Sequence, residues 1–218
     1  MKDLAVLIEY VDNHLLPNLD IRSLNPSDPV VPKHVPEPWM LIGAGNYAAA
    51  FVHPDFPEHV IKVYAPERPG ILEEVYVYSK IGKHPSFSEC YYHTEKYLIL
   101  KRLRGETLYS CINKGIPIPK KIINDIDKAL RYAESRDLHP HDVHAKNVMM
   151  NQEQGLVVDI SDFLKKEDCS LWNDFKKAYY KIYLPFFFKY HPPVPEFVLN
   201  AVRKGYKLFK SLNKKMSR

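Results

Sequence analysis

The passage from His139 to Asp162 constrains this chain more than any other. It reads His139-Pro-His-Asp142-Val-His144-Ala-Lys146-Asn147-Val-Met-Met150, and then Gly155-Leu-Val-Val-Asp159-Ile-Ser-Asp162-Phe163. An apolar run of helical period, Ile122, Ile123, Ile126, Leu130 and Ala133, ends just before it. Asp142 and Asn147, five residues apart, therefore sit on a loop. Two short apolar runs then flank turn signals at Asn151 to Gly155, which predicts a hairpin whose second strand ends at Asp159.

Those residue types in that order suit one kind of chemistry. A carboxylate at a strand end, Asp159, beside an amide from a neighbouring loop, Asn147, makes a pair of hard oxygens of the sort that holds Mg²⁺. A second carboxylate, Asp142, is left to orient a hydroxyl nucleophile. Phosphoryl transfer needs both parts, since it runs on charge neutralisation and positioning.

The passage resembles the protein-kinase superfamily. Asp142 and Asn147 have the spacing of that family's catalytic-loop Asp and metal-binding Asn. The run Val157-Val-Asp159-Ile-Ser161 is similar to the RIO-type atypical kinases, which puts the metal carboxylate at Asp159. Asp162, which precedes Phe163, is the alternative. Upstream, Leu41-Ile-Gly43-Ala-Gly45-Asn-Tyr-Ala48 resembles a glycine-rich loop whose backbone N–H groups approach phosphate. Lys62, inside the apolar strand Val60-Ile-Lys-Val-Tyr64, calls for an anionic partner on physical grounds alone. The resemblance implies that Lys62 grips the α- and β-phosphates of ATP and pairs with Glu74, or with Glu73, on a helix over 71–82. It also implies that the strand Leu98–Leu103 enters a hinge where the backbone of Lys101 and Leu103 receives adenine. ATP and Mg²⁺, with Mn²⁺ as a substitute, are the implied cofactors.

The pattern departs from the family in several places. Pro140 stands where the loop histidine belongs, leaving His139 or His141 to replace it. His144 stands two residues after Asp142, where a lysine is common, and Lys146 stands four after it, as a cation does in tyrosine-type loops. Lys146 is therefore assigned to the γ-phosphate in preference to His144. Leu164 replaces the glycine of Asp-Phe-Gly. About sixty residues follow Asp159, without an Ala-Pro-Glu element. Asp174 is a candidate for bracing the catalytic loop from a later helix, or else a helix N-terminal carboxylate facing the dipole.

The rest of the chain sets the frame. Strand-like runs occupy the first half and helical ones the second, which predicts segregated α+β layers. The expected architecture is a bilobal protein-kinase-like fold. Residues 1–38 supply an N-terminal helix over 2–17 and a Pro-rich linker over 26–38. Residues 39–103 form a β-rich N-lobe, and residues 104–218 form a reduced helical C-lobe ending in a basic helix. The C-terminal aromatic stretch is expected to break at Pro185 and again at Pro192, Pro193 and Pro195.

Three scattered cysteines match neither a zinc site nor a disulfide framework, and no stretch reads as a signal peptide or membrane span. A cytoplasmic protein is expected. The implied activity is that of a serine/threonine protein kinase, with a protein or the chain itself as acceptor. Two readings from other classes stay open. One is a pseudokinase that binds nucleotide as an interaction module. The other is a basic adaptor for RNA or anionic membrane, since seven of the last sixteen residues are Lys or Arg. Nucleic acid is disfavoured because no base-stacking or groove-reading pattern accompanies the charge; weak binding of an anionic surface through the basic helix is retained. A small-molecule kinase ranks below a protein kinase, since no large helical acceptor lobe is present.

Overall fold

The computed structural model describes residues 4–25, 28–66, 68–152 and 154–216, with side chains described for all of these except 207 and 209–216. Pro26 and Ser27 of the Pro-rich passage and Arg218 of the basic tail fall outside the described residues. So do the side chains of Lys207, Lys210, Lys214 and Lys215.

Apolar residues at helical spacing form α1 (Leu4–Tyr10), a wider π-helical stretch over Val11–Leu15, and α2 (Leu16–Asn18). The Leu16 N–H reaches back five residues to the Val11 carbonyl. The next residue, Pro17, has no N–H to donate. β1 (Asp20–Arg22) and β2 (Val31–Lys33) then pair antiparallel. The described part of that passage, 28–38, is not a free linker. β2 is paired, and Val30 is buried and donates its N–H to the Gly45 carbonyl at 2.8 Å.

β3 (Met40–Ala44), β4 (Ala48–Val52), β5 (His59–Tyr64), β6 (Cys90–His93) and β7 (Tyr97–Lys101) form an antiparallel sheet in the order β3-β4-β5-β7-β6. Helix α3 (Ile71–Ile81) lies between β5 and β6 in sequence. Side chains alternate across a strand, and here both faces are covered. Ile61, Val63, Tyr97 and Ile99 pack with Leu7, Val11, Leu15 and Trp39 on one side. Tyr64, Leu98 and Leu100 pack with Val77, Tyr78 and Ile81 of α3 on the other. That double burial explains why these strands read as near-continuous apolar runs and why residues 4–38 are needed: they cover the face that α3 does not. It also fixes the direction of Lys62, which alternates with Ile61 and Val63 onto the α3 face.

The second half holds β8 (Glu106–Thr107), α4 (Leu108–Lys114), α5 (Lys120–Glu134), β9 (Val148–Met150), β10 (Gly155–Val157), α6 (Leu171–Ala178) and α7 (Glu196–Met216). The arrangement is α+β, a strand-rich first half followed by a mostly helical second half. One core joins the halves: Phe87 meets Phe163 edge-on at 6.5 Å, and the Val157 N–H donates to the Ser86 carbonyl at 2.8 Å. Close backbone approach demands glycine twice here. A Cβ on Gly155 would stand 2.5 Å from the Ile122 carbonyl oxygen, and one on Gly105 2.4 Å from that of Met150.

The expected break at Pro185 takes a different form. The chain runs through it as a π-helical stretch, Tyr179–Phe187, and the Phe188 N–H reaches the Tyr183 carbonyl five residues back. A wider turn relieves the clash of a proline ring with the preceding carbonyls. The partners of Asp174 include Ser170, Lys177 and Tyr206, which tie α6 to α7.

Two outcomes are expected. Gly155→Ala destabilises the fold by about 1–3 kcal/mol in urea denaturation, because the added methyl meets backbone that cannot yield. The Ser170 and Tyr206 hydroxyls and Lys177 hold the Asp174 carboxyl down at about 2. Its ionised form is the one the fold favours, so its contribution, about 1–2 kcal/mol, is complete above the ordinary carboxylate pKa and lost as pH falls toward 2. The stability gap between wild type and Asp174→Asn should therefore close between pH 4 and pH 2.

Candidate active site

Lys62 is the centre of the site. Its Nζ donates to both carboxylate oxygens of Glu74, each at 2.8 Å, and lies 3.4 Å from Asp159 Oδ1. The choice between the two glutamates follows from helix geometry. Glu74 shares the buried stripe of α3 with Val77, Tyr78 and Ile81, whereas Glu73 on the next position is exposed. Glu74 is fully buried. Burial pushes its carboxyl up, with the Asp159 charge adding to that, against the pull of the Lys62 ammonium. Burial works against the charged lysine, but the Asp159 and Glu74 carboxylates overcome it and raise Lys62 well above its ordinary value. The group is a cation held in place.

Tyr64 completes the cluster. Two residues after Lys62 on the same strand, it faces the same side and donates its hydroxyl to Glu74 Oε2. Glu74 thus receives three donor contacts from one strand, which a buried carboxylate needs. The sequence offered a signal for it, an aromatic hydroxyl in register with a buried ionic group.

The hairpin β9–β10 brings the later residues to Lys62. The pairing of Val148 with Val157 continues into a bond from the Val158 N–H to the Asn147 carbonyl at 3.0 Å, so Asp159 follows directly beside Asn147. The Ser161 N–H donates to Asp159 Oδ1 at 3.2 Å. Burial acts to raise Asp159, but Lys62 and the Ser161 bonds hold it below its ordinary value. The Asp162 carboxylate takes Lys165 Nζ at 2.8 Å, with His141 Nδ1 at 3.9 Å.

Asp142 has a left-handed backbone, φ 54°, which aspartate tolerates better than most residues. The Asn147 side-chain amide donates to the Asp142 carbonyl at 3.0 Å. That bond uses the amide nitrogen of Asn147 and leaves its oxygen, the atom a hard cation takes. His144 Nε2 stands 3.8 Å from Asp142 Oδ2. Burial raises the Asp142 carboxyl above its ordinary value, with the Asp162 and Asp159 charges adding to it and His144 opposing. Lys62, Glu74 and Asp159 are thus in direct contact, and Asp142 and Asn147 stand around Asp159. Lys146 is apart from them: it is exposed, with its ammonium 4.4 Å from the Tyr109 ring centre.

The nucleotide-side residues are more unevenly placed. Gly43 and Gly45 lie at the β3–β4 end of the sheet; a Cβ on Gly43 would meet nothing within 4 Å, and one on Gly45 only the Ala48 carbonyl at 3.9 Å. Neither backbone demands glycine, so what the two supply is open space. Nearby, Tyr47 lies 6.0 Å from the Lys165 ammonium, joining this turn to the segment after Asp162. The Lys101 backbone is engaged within the protein: its N–H donates to the Glu89 carbonyl at 2.8 Å and its carbonyl accepts from Ser88 Oγ at 2.7 Å. The Leu103 amide has no partner among the described residues. The His139 N–H donates to the Phe163 carbonyl at 2.7 Å.

No protein-family model matches the chain. It is 29% identical over 179 residues to a Bacillus subtilis (strain 168) protein named "Putative serine/threonine-protein kinase YrzF", a match spanning 80% of this chain and 82% of that one. A solved structure titled "Crystal structure of Rad53 1-466 in complex with AMP-PNP" matches with a TM-score of 0.49 and 14% identity, over 71% of this chain and 42% of the other, so this chain spans less than half of that one.

Removing the Tyr64 hydroxyl leaves Glu74 buried with one donor fewer. Tyr64→Phe should lower stability by about 1.5–3 kcal/mol in chemical denaturation, the range for a hydrogen bond to a charged group. An unchanged denaturation midpoint would remove Tyr64 from the cluster.

Proposed function

We propose that the chain is, as its sequence relative supports, a protein-kinase-like ATP-dependent phosphotransferase, a serine/threonine protein kinase that moves the γ-phosphate of ATP to a hydroxyl of a protein or of the chain itself. The observation that carries this is the contact of Lys62 with both Glu74 and Asp159. It sets a fixed cation against a carboxylate contributed 97 residues later, in a cleft between the sheet and the β9–β10 hairpin.

Each residue then has a task. Lys62, held by Glu74 and Tyr64, meets the α- and β-phosphates. The open space at Gly43 and Gly45 admits the phosphates under the sheet edge, and the unpaired Leu103 amide faces the adenine edge. Lys101 contributes by shaping the hinge, since its own backbone is engaged. Asp142 accepts the hydrogen bond of the incoming hydroxyl and aligns its oxygen with phosphorus. Lys146 serves the γ-phosphate once it leaves the Tyr109 ring, and His144 stands closer to Asp142. The oxygens of Asn147 and Asp159 fit Mg²⁺, which keeps few protein ligands and takes the rest from phosphate and water; Mn²⁺ suits the same pair. Among the described residues no group of three or more His, Cys, Asp or Glu could hold a metal by itself. Such a cation neutralises charge on the phosphates. The three cysteines are free thiols, and no helix among the described residues is long and apolar enough to cross a membrane.

A nucleotide-binding module without transfer is the second reading, favoured by the position of Lys146. Incubation with γ-labelled ATP and Mg²⁺ separates the two. Wild type should place label on protein and Asp159→Ala should lose it by at least about a hundredfold. Equal labelling of both would sink the assignment of Asp159, and nucleotide binding with no label on any protein would favour the module. The rate of labelling should also fall on acidification, starting above the ordinary carboxylate range, because Asp142 protonates early; in Asp142→Asn that limb should vanish together with most of the activity.

A further inference from the structure

The stretch after Asp174 is unlike the rest of the surface. Residues 176–218 hold eleven Lys and Arg and a single acidic side chain, Glu196. The same stretch exposes large apolar groups: Phe186 is 69%, Tyr190 72% and Phe197 74% exposed. None of this is used by the cleft around Lys62.

One feature of this stretch includes Phe187, itself 42% exposed. An apolar groove of about 280 Å³ runs between the π-helical stretch and α7. Its floor includes Cys111, Ile116 and Tyr179, and its rim includes Ile182 from one side and Val202 from the other. Both rim residues are more than half exposed, at 54% and 64%. Immediately after Val202 come Arg203 and Lys204, both exposed, and the Lys189 ammonium lies over the Tyr190 ring at 5.5 Å.

We propose that this groove and its aromatic rim form a docking surface for an anionic lipid bilayer, on which the chain lies by way of the π-helical stretch and α7. Two features select that occupant. Tyr and Phe beside Lys and Arg are the pairing that settles at a headgroup boundary, with rings at the acyl edge and cations in the phosphates. Lys176 and Lys177 are paired with Asp127 and Asp174, but Lys181, Lys189, Arg203 and Lys204 are exposed and make the face complementary to negative lipid, where each basic residue adds to the attraction. An acidic protein would meet the same charge, but exposed rings spread over two helices suit a deformable apolar phase better than a single shaped partner. The proposal goes beyond phosphoryl transfer and does not depend on it.

Flotation of the full chain with vesicles tests it without ATP. Vesicles of phosphatidylcholine mixed with phosphatidylglycerol should carry the wild-type protein, with at least about tenfold less on phosphatidylcholine alone. Ile182→Ser with Val202→Ser should cut binding at least about tenfold, and so should Arg203→Glu with Lys204→Glu, while circular dichroism and ATP labelling stay unchanged. No flotation with anionic vesicles overturns the proposal, as does flotation that both double variants retain. A wild-type dimer in size-exclusion chromatography that reverts to monomer in Ile182→Ser with Val202→Ser, without vesicle binding, would overturn it in favour of a second copy. Salt-sensitive RNA binding in place of vesicle binding would overturn it in favour of nucleic acid.

Discussion

The structure depends on an ammonium group kept charged inside a protein. Burying Lys62 costs several kcal/mol unless fixed acceptors surround it, and the fold supplies two from other parts of the chain. Glu74 comes from the helix after the strand, itself held by the Tyr64 hydroxyl, and Asp159 comes from the end of a hairpin near residue 160. Each acceptor obliges an element to stay where it is: α3 against the sheet, and the β9–β10 hairpin beneath it. The cluster therefore works as a joint between the two halves as well as a site.

The remaining architecture is arranged around that joint. The face of the sheet opposite Lys62 is sealed by residues 4–38, whose Leu7, Val11 and Leu15 are fully buried. The same segment reaches the glycine-containing turn, since Val30 bonds to the Gly45 carbonyl. On the other side, Phe163 packs against Phe87 and its carbonyl takes the His139 N–H, so the loop bearing Asp142 and the strand end bearing Asp159 are anchored to one residue.

Much of this could be read from the residues. Lys62 in an apolar strand announced a buried partner, and the spacing of Asp142, Asn147 and Asp159 around a hairpin announced where oxygens would gather. Both signals are local, because alternation and turn chemistry act over a few residues. What could not be read was long-range. Nothing in a Pro-rich passage says that Val30 will be buried or that β1 and β2 will pair, because extended chain serves equally as linker or cover. Asp174 carries the same local signature whether its partner is a loop behind it or Tyr206 ahead of it. Pro185 signals strain without saying whether a helix breaks or widens. Lys146 and Lys101 were placed by spacing, and the structure sets their side chain and backbone against Tyr109, Glu89 and Ser88.

The central claim is that Lys62, Asn147 and Asp159 form one phosphate- and cation-binding cleft. The most direct test is a crystal structure with a non-hydrolysable ATP analogue and Mn²⁺, located by its anomalous signal. The account predicts manganese bound by the side-chain oxygens of Asn147 and Asp159, with the α- and β-phosphates at Lys62 Nζ. Nucleotide lying outside that cleft, or manganese held by neither side chain, would contradict it.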